Sequence, residues 1–274
     1  MDEAAAAGFS AIDLGPVGYF PTDLAKLKSE LGRRRLQLCS GVLFDPLYDP
    51  AALPAIIDKT RRTCAILQTL EAPRLVIIDC ISKERGASAG RCADAGRLAG
   101  SAWNSMMAAI TAIARVARDE YGVFPYLHPH AGCYIEFEDE VERAMNDLAA
   151  GDVGLCIDTG HAAYAGIDPV ALIRRHGSRI GLMHFKDVDS NIRAACMRES
   201  VGYFDAVDRG IFCPLGRGVV DFAAVRDALV AIGYRGLAVV EQDPAGDASP
   251  LEHARANFSF LRSVGLASGR RSPD

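Results

Sequence analysis

Tyr126-Leu127-His128-Pro129-His130, Leu155-Cys156-Ile157-Asp158-Thr159-Gly160-His161 and Leu182-Met183-His184-Phe185-Lys186-Asp187 share one pattern: a short apolar run that stops abruptly at His, Asp or Lys. The stretch that contains them, 124–187, also holds Glu136 and five of the chain's six histidines. Short apolar runs suit strands of a parallel sheet buried on both faces. Polar side chains at the C-terminal ends of such strands are where an α/β barrel gathers its ligands and catalysts.

Outside this stretch the same rhythm continues. Strands are expected at 10–15, 36–44, 74–80, 124–130, 153–158, 180–185 and 236–240. Between them, helical spacing places Leu24, Leu27 and Leu31 behind a cap at Thr22 or Asp23, and Leu53, Ile56, Ile57, Cys64 and Leu67 behind Asp49-Pro50. Further helices are expected at 93–120, ending at Gly122, at 138–150, from Asp168-Pro169 to Gly177, from Asp221 to Gly233, and at 251–264. Residues 82–91 read as a polar loop. Residues 188–219 lack clear periodicity, over a length that suggests a functional lid.

Strands alternating with helices in this way predict an α/β fold of the TIM (β/α)8 type built from parallel βαβ units. The rhythm supplies seven strands, so the first strand is expected to be missing at the N-terminus. Exposed sheet edges would then call for cover by another segment or by a second copy in a homo-oligomer. A single domain over residues 1–266 accounts for the pattern, with 267–274 as a frayed tail.

Half of the 274 residues are apolar, which allows a large core. The net charge is −5 and no basic stripe stands out, which argues against nucleic acid as a partner. The run Arg33-Arg34-Arg35 reads as a solvated helix terminus. Eight cysteines without a CxxC pair point to reduced thiols and a cytoplasmic protein. No signal peptide and no membrane span is legible.

In a parallel barrel the strand ends meet, so Asp13, Asp45, Asp79, His128, His130, Asp158, His161, His184, Lys186, Glu241 and Asp243 converge on one face. Carboxylate oxygen and imidazole nitrogen together suit Mn²⁺, Co²⁺, Fe²⁺ or Zn²⁺, and the absence of paired thiolates argues against a structural zinc. Asp158 alone reads as a helix cap, and His176 and His253 as surface or capping residues. The joint occurrence of Asp158, His184 and Glu241 at three strand ends is what points to a site.

The motifs His128-Pro129-His130-Ala131-Gly132-Cys133-Tyr134-Ile135-Glu136-Phe137, Asp158-Thr159-Gly160-His161, His184-Phe185-Lys186-Asp187-Val188, Leu215-Gly216-Arg217-Gly218 and Val240-Glu241-Gln242-Asp243 resemble those of the inosose dehydratases of myo-inositol catabolism. These belong to the wider xylose-isomerase-like barrels of sugar isomerases, epimerases and dehydratases. The resemblance implies a divalent metal, Mn²⁺ or Co²⁺, held by Glu136, Asp158, His184 and Glu241, with His128 or His130 as the alternative to Glu136. It implies a small polyol ketone as substrate and loss of water from 2-keto-myo-inositol through an enediolate; a sugar isomerase or epimerase is the alternative. His128, His130, His161 and Lys186 are then the candidates for the two proton transfers, Lys186 through a pKa lowered beside the metal. Arg217 is the candidate for a substrate hydroxyl. Asp13 departs from the longer glutamate of the family.

Overall fold

The computed structural model describes residues 1–243 and 249–267; all but the first residue of the tail expected at 267–274 lies outside the described residues. Among the described residues nine strands are present: β1 (Ala11–Asp13), β2 (Gln37–Asp45), β3 (Arg74–Asp79), β4 (Phe124–Leu127), β5 (Gly154–Asp158), β6 (Ile180–Phe185), β7 (Asp187–Val188), β8 (Phe212–Cys213) and β9 (Leu237–Val240). Seven form one parallel sheet in the order β1-β2-β3-β4-β5-β6-β9, and β7 and β8 pair antiparallel beside it. This is a nearly closed barrel wrapped by helices. Its edge strands β1 and β9 do not pair with each other. A cavity of about 910 Å³ lies between them, lined by residues of both strands, including Ile12, Asp13, Leu237 and Val239. The outside of this gap is spanned by helix Asp2–Ala7 packed on helix Pro250–Ser263, with the Phe9 and Phe258 rings 5.0 Å apart.

Strand alternation divides the core in two. Leu75, Ile77, Leu127, Leu155, Ile157, Met183 and Phe185 face the helices in one large cluster. Val76, Ile78, Cys156 and Leu182, with Val42, Tyr126 and Val239 against them, fill the barrel interior. Tyr126 lies over Gly154 and Gly181, where a Cβ would overlap its ring. Those two glycines are therefore the space into which the barrel's floor is packed.

Several boundaries differ from the sequence expectation. β4 ends at Leu127 because Pro129 has no N–H to give, and His130 turns its own to Ile135 O (3.0 Å). The expected loop 82–91 contains a short helix, Lys83–Ser88, with Ser82 Oγ accepting from Arg85 N at 3.0 Å. The helix expected over 93–120 begins at Gly100 and widens into a π turn at Val116–Glu120. Residues 188–219 hold helices Ser190–Arg198 and Tyr203–Asp208 as well as β8. Helices this short do not fill the window over which periodicity is readable. They build their own small core from Val188, Cys196, Val201, Tyr203, Ala206, Ile211 and Phe212 on Tyr164 and Ala131.

The segment after β3 is locked to the segment after β4 by Arg85, whose side chain is fully buried. Its guanidinium reaches Glu140 Oε1 (2.6 Å) and Oε2 (3.0 Å), Glu136 Oε2 (3.3 Å) and Gly96 O (2.9 Å). Removing one partner from such a group leaves buried charge uncompensated. Arg85→Met is therefore expected to lower stability by about 3–5 kcal/mol, read as a lowered midpoint in denaturant; an unchanged midpoint would show that the cluster is not holding these segments.

Candidate metal centre

The same alternation that packs the floor also builds the site. Two residues beyond Tyr126, Cys156, Leu182 and Val239 stand His128, Asp158, His184 and Glu241, so four strands that contribute to one interior layer contribute again to the layer above it. One ligand atom from each of these four lies within 4.8 Å of the others. Strand register sets Asp158 directly beside His184. His128 Nε2 is 4.0 Å from Asp158 Oδ2, and the His128 and His184 rings are 4.9 Å apart.

Several of these atoms have no partner within the protein. Both ring nitrogens of His128, both of His184 and Oδ2 of Asp158 are buried without a hydrogen-bond partner among the described residues. His184 Nδ1 also stands 2.7 Å from Glu241 Oε1, within ion-pair distance when the imidazole is protonated. Buried polar atoms left bare are costly, and two imidazoles with two carboxylates are the donor set of a borderline divalent cation. The residues present therefore fit such an ion. Cys156 also approaches His128 and His184, but burial raises its pKa and keeps it a thiol.

Around this cluster lie the remaining polar groups. His161 is buried, with Nδ1 3.4 Å from Ala131 N and Nε2 3.5 Å from Lys186 Nζ, so donors face both ring nitrogens. Burial, the neighbouring imidazole of His130 and the Lys186 charge hold its pKa well below the usual value. His130 stacks on it at 3.7 Å and gives Nδ1–H to Ala131 O (2.8 Å), which leaves Nε2 as the lone-pair nitrogen. Burial and the Lys186 charge push the His130 pKa down to about 4.

Lys186 corrects the expectation of a lowered pKa. Burial does work against its charge, but Glu241, Asp158 and Asp243 outweigh it and raise the pKa above the ordinary lysine value. Its Nζ sits 3.1 Å from both Glu241 Oε2 and Asp243 Oδ2, and 4.5 Å from the centre of the Phe212 ring. Lys186 is an ammonium. Thr159 pins its backbone, accepting from Lys186 N (3.1 Å) and donating to Lys186 O (2.7 Å).

Glu136 lies outside the cluster. Its Oε1 accepts from Gly90 N (2.6 Å), and its Oε2 from Gly132 N (3.1 Å) and Arg85. The physical reason is its place in the loop beyond β4, where strand alternation no longer aims side chains inward. His128, which is still in register with the strand, occupies the inward position. Arg217 is exposed, and its side chain has no hydrogen-bond or ion-pair partner among the described residues. The turn that carries it is held by Asp187, whose carboxylate accepts from the N–H groups of Val188, Gly216, Gly218 and Val220 at 2.9–3.0 Å. Asp13 is engaged by Ser40 Oγ and by Gly15 N (2.6 Å). Sequence reasoning missed Tyr203 and Phe212, which the segment 188–219 brings against His161 and Lys186. Their one signal was aromatic side chains inside an otherwise unperiodic insert.

The two carboxylate environments separate in a metal-content assay. Asp158→Asn and His184→Ala, purified without chelator, are expected to lose divalent-metal affinity by about 100-fold or more, since even outer partners of a ligand are worth 10–100-fold. Glu136→Gln should retain full occupancy by elemental analysis. Loss of metal in Glu136→Gln with retention in Asp158→Asn would reverse the assignment.

Comparison with known proteins places this geometry in a family. Residues 1–264 match the xylose isomerase-like TIM barrel family. The rhizopine catabolism protein MocC of Rhizobium meliloti is 35% identical over 277 residues, covering 99% of this chain and 82% of that protein. An inosose dehydratase of Geobacillus kaustophilus is 31% identical over 273 residues, covering 95% and 85%. Among solved structures, the IOLI protein with a bound zinc atom superposes with a TM-score of 0.70 at 16% identity, covering 97% of this chain and 90% of the other. The family match over nearly the whole length, together with the barrel it describes, shows that this chain belongs to the xylose isomerase-like TIM barrel family.

Proposed function

We propose that this chain is a metal-dependent hydro-lyase that removes water from 2-keto-myo-inositol, a polyhydroxylated cyclic ketone. The observation that carries the reading is the cluster of His128, Asp158, His184 and Glu241, in which buried atoms of the first three lack partners and Glu241 is bound to the Lys186 ammonium. The dehydratase name of the Geobacillus relative and the zinc in the IOLI structure support it. All eight cysteines are free, in keeping with a cytoplasmic enzyme.

Dehydration next to a carbonyl needs a proton removed from carbon, the resulting negative charge stabilised, and a hydroxide protonated as it departs. A divalent cation, Mn²⁺ or Co²⁺, held by His128, Asp158, His184 and Glu241 would supply Lewis-acid stabilisation of that charge. The protein's own groups divide the rest. His130, with Nδ1–H committed to Ala131 O, offers Nε2 to take the proton from carbon. Lys186 Nζ gives a proton to the departing hydroxide, so that water leaves as the C–O bond breaks. His161, faced by donors at both nitrogens, orients Lys186. Phe212 and Tyr203 form an apolar wall beside Lys186 and His130, and Phe44 packs on His130 at 5.5 Å from the other side.

Purified protein loaded with Mn²⁺ or Co²⁺ is expected to convert 2-keto-myo-inositol to a dione with rising ultraviolet absorbance. Chelation should abolish the reaction and metal addition restore it. Lys186→Met and His130→Ala are each expected to lower kcat by about 10²–10⁴-fold. Absence of dione together with interconversion of ketoses would replace this reading with that of a sugar isomerase or epimerase.

A further inference from the structure

The segment 188–219, expected to be a lid, does more than bury its own small core. Tyr203 opens helix Tyr203–Asp208, and the chain leading to it is tethered at Val201, whose carbonyl accepts from Arg91 Nη1 at 2.9 Å. The neighbouring Gly90 N–H is in turn held by Glu136. The tether therefore runs from the loop after β4 through the segment after β3 into the segment 188–219, and it fixes where Tyr203 points. Its ring centre lies 5.5 Å from that of His130 and 6.3 Å from that of His161, nearly parallel to the latter at 29°. Phe212 and Tyr164 back it at 6.3 Å each. The side chain is 7% exposed. Its hydroxyl has no hydrogen-bond partner among the described residues and, unlike that of Tyr164, is not one of the fully enclosed bare atoms, so it is open to a ligand. Phe212, which packs on Tyr203, also lies 4.5 Å from Lys186 Nζ, so the phenol and the ammonium share one wall.

A substrate in that pocket would meet two kinds of surface. The cations and carboxylates at the strand ends address the reacting carbonyl and the leaving hydroxyl. The remaining ring hydroxyls of a cyclic polyol would face an aromatic wall, where each must find a donor or lose its hydration without compensation. We propose that Tyr203 is a substrate-contacting specificity residue, its ring lying against the C–H face of the polyol and its O–H bonding one hydroxyl remote from the reacting carbons. This rests on the reading of the site as one for a polyol ketone. It makes the 188–219 segment a part of substrate recognition.

The test compares wild type with Tyr203→Phe, both loaded with Mn²⁺, on 2-keto-myo-inositol and on a series of its monodeoxy analogues. The phenylalanine keeps the ring and the packing, so melting temperature and metal content serve as controls and should not change. On the full substrate kcat/KM is expected to fall about 10–100-fold, carried mainly by KM, the range of one hydrogen bond to a buried polar group. On the one analogue that lacks the contacted hydroxyl, wild type and variant should be equal. Unchanged kcat/KM on the full substrate, or an equal loss on every analogue, would overturn the proposal. If wild type forms no dione but epimerises a ketohexose, the hydro-lyase reading fails while the same comparison, run with the ketohexose and its deoxy analogues, still decides Tyr203. A wild type inactive on both overturns both statements.

Discussion

Asp158 divides its two carboxylate oxygens between the fold and the site. Oδ1 accepts from His161 N at 2.7 Å and starts the helix Thr159–Tyr164, while Oδ2 is buried and bare beside His128 and His184. One residue thus ends β5, begins the following helix and aims a ligand oxygen into the barrel. Burial raises its pKa to about 6, opposed by the Lys186 charge. The arrangement concentrates desolvated polar atoms at one point, where the proposed divalent ion would compensate them. Everything around Asp158 supports this placement, from the register that sets it beside His184 to the Thr159 hydroxyl that holds β6 at Lys186.

Much of this was legible in the chain. The apolar runs ending in His or Asp marked β4, β5 and β6, and an expected seven strands appear as seven parallel strands. Asp158, His184 and Glu241 were marked as convergent because strand ends converge in this fold. His128 and Glu136 differ by something the sequence carries only implicitly. His128 is in phase with Tyr126 on the strand; Glu136 lies beyond Pro129, where the phase is lost. Counting inward positions at intervals of two from the barrel floor separates them.

What the sequence did not convey lies in long-range polar contacts. Nothing in the spacing of Arg85, Glu136 and Glu140 announces that they meet, yet they join the loops after β3 and β4. Likewise Asp187 looked like one more polar residue after a strand, and it proves to gather the amides of the turn around Arg217. Such carboxylates organise loops by satisfying backbone N–H groups, a role that depends on distant chain and leaves no local pattern. The charge of Lys186 belongs to the same class. Its environment is set by Glu241 and Asp243, more than fifty residues on in sequence, and these hold it as a cation.

The central claim is that four side chains from successive strands of the sheet share one divalent cation. Anomalous scattering at the cobalt edge, from crystals of the protein grown with Co²⁺, tests it most directly. The account predicts a single strong peak about 2.0–2.2 Å from a nitrogen or oxygen of each of His128, Asp158, His184 and Glu241, with Glu136 still bound to Arg85. No peak at that position, or a peak coordinated by Glu136 in place of His128, would contradict it.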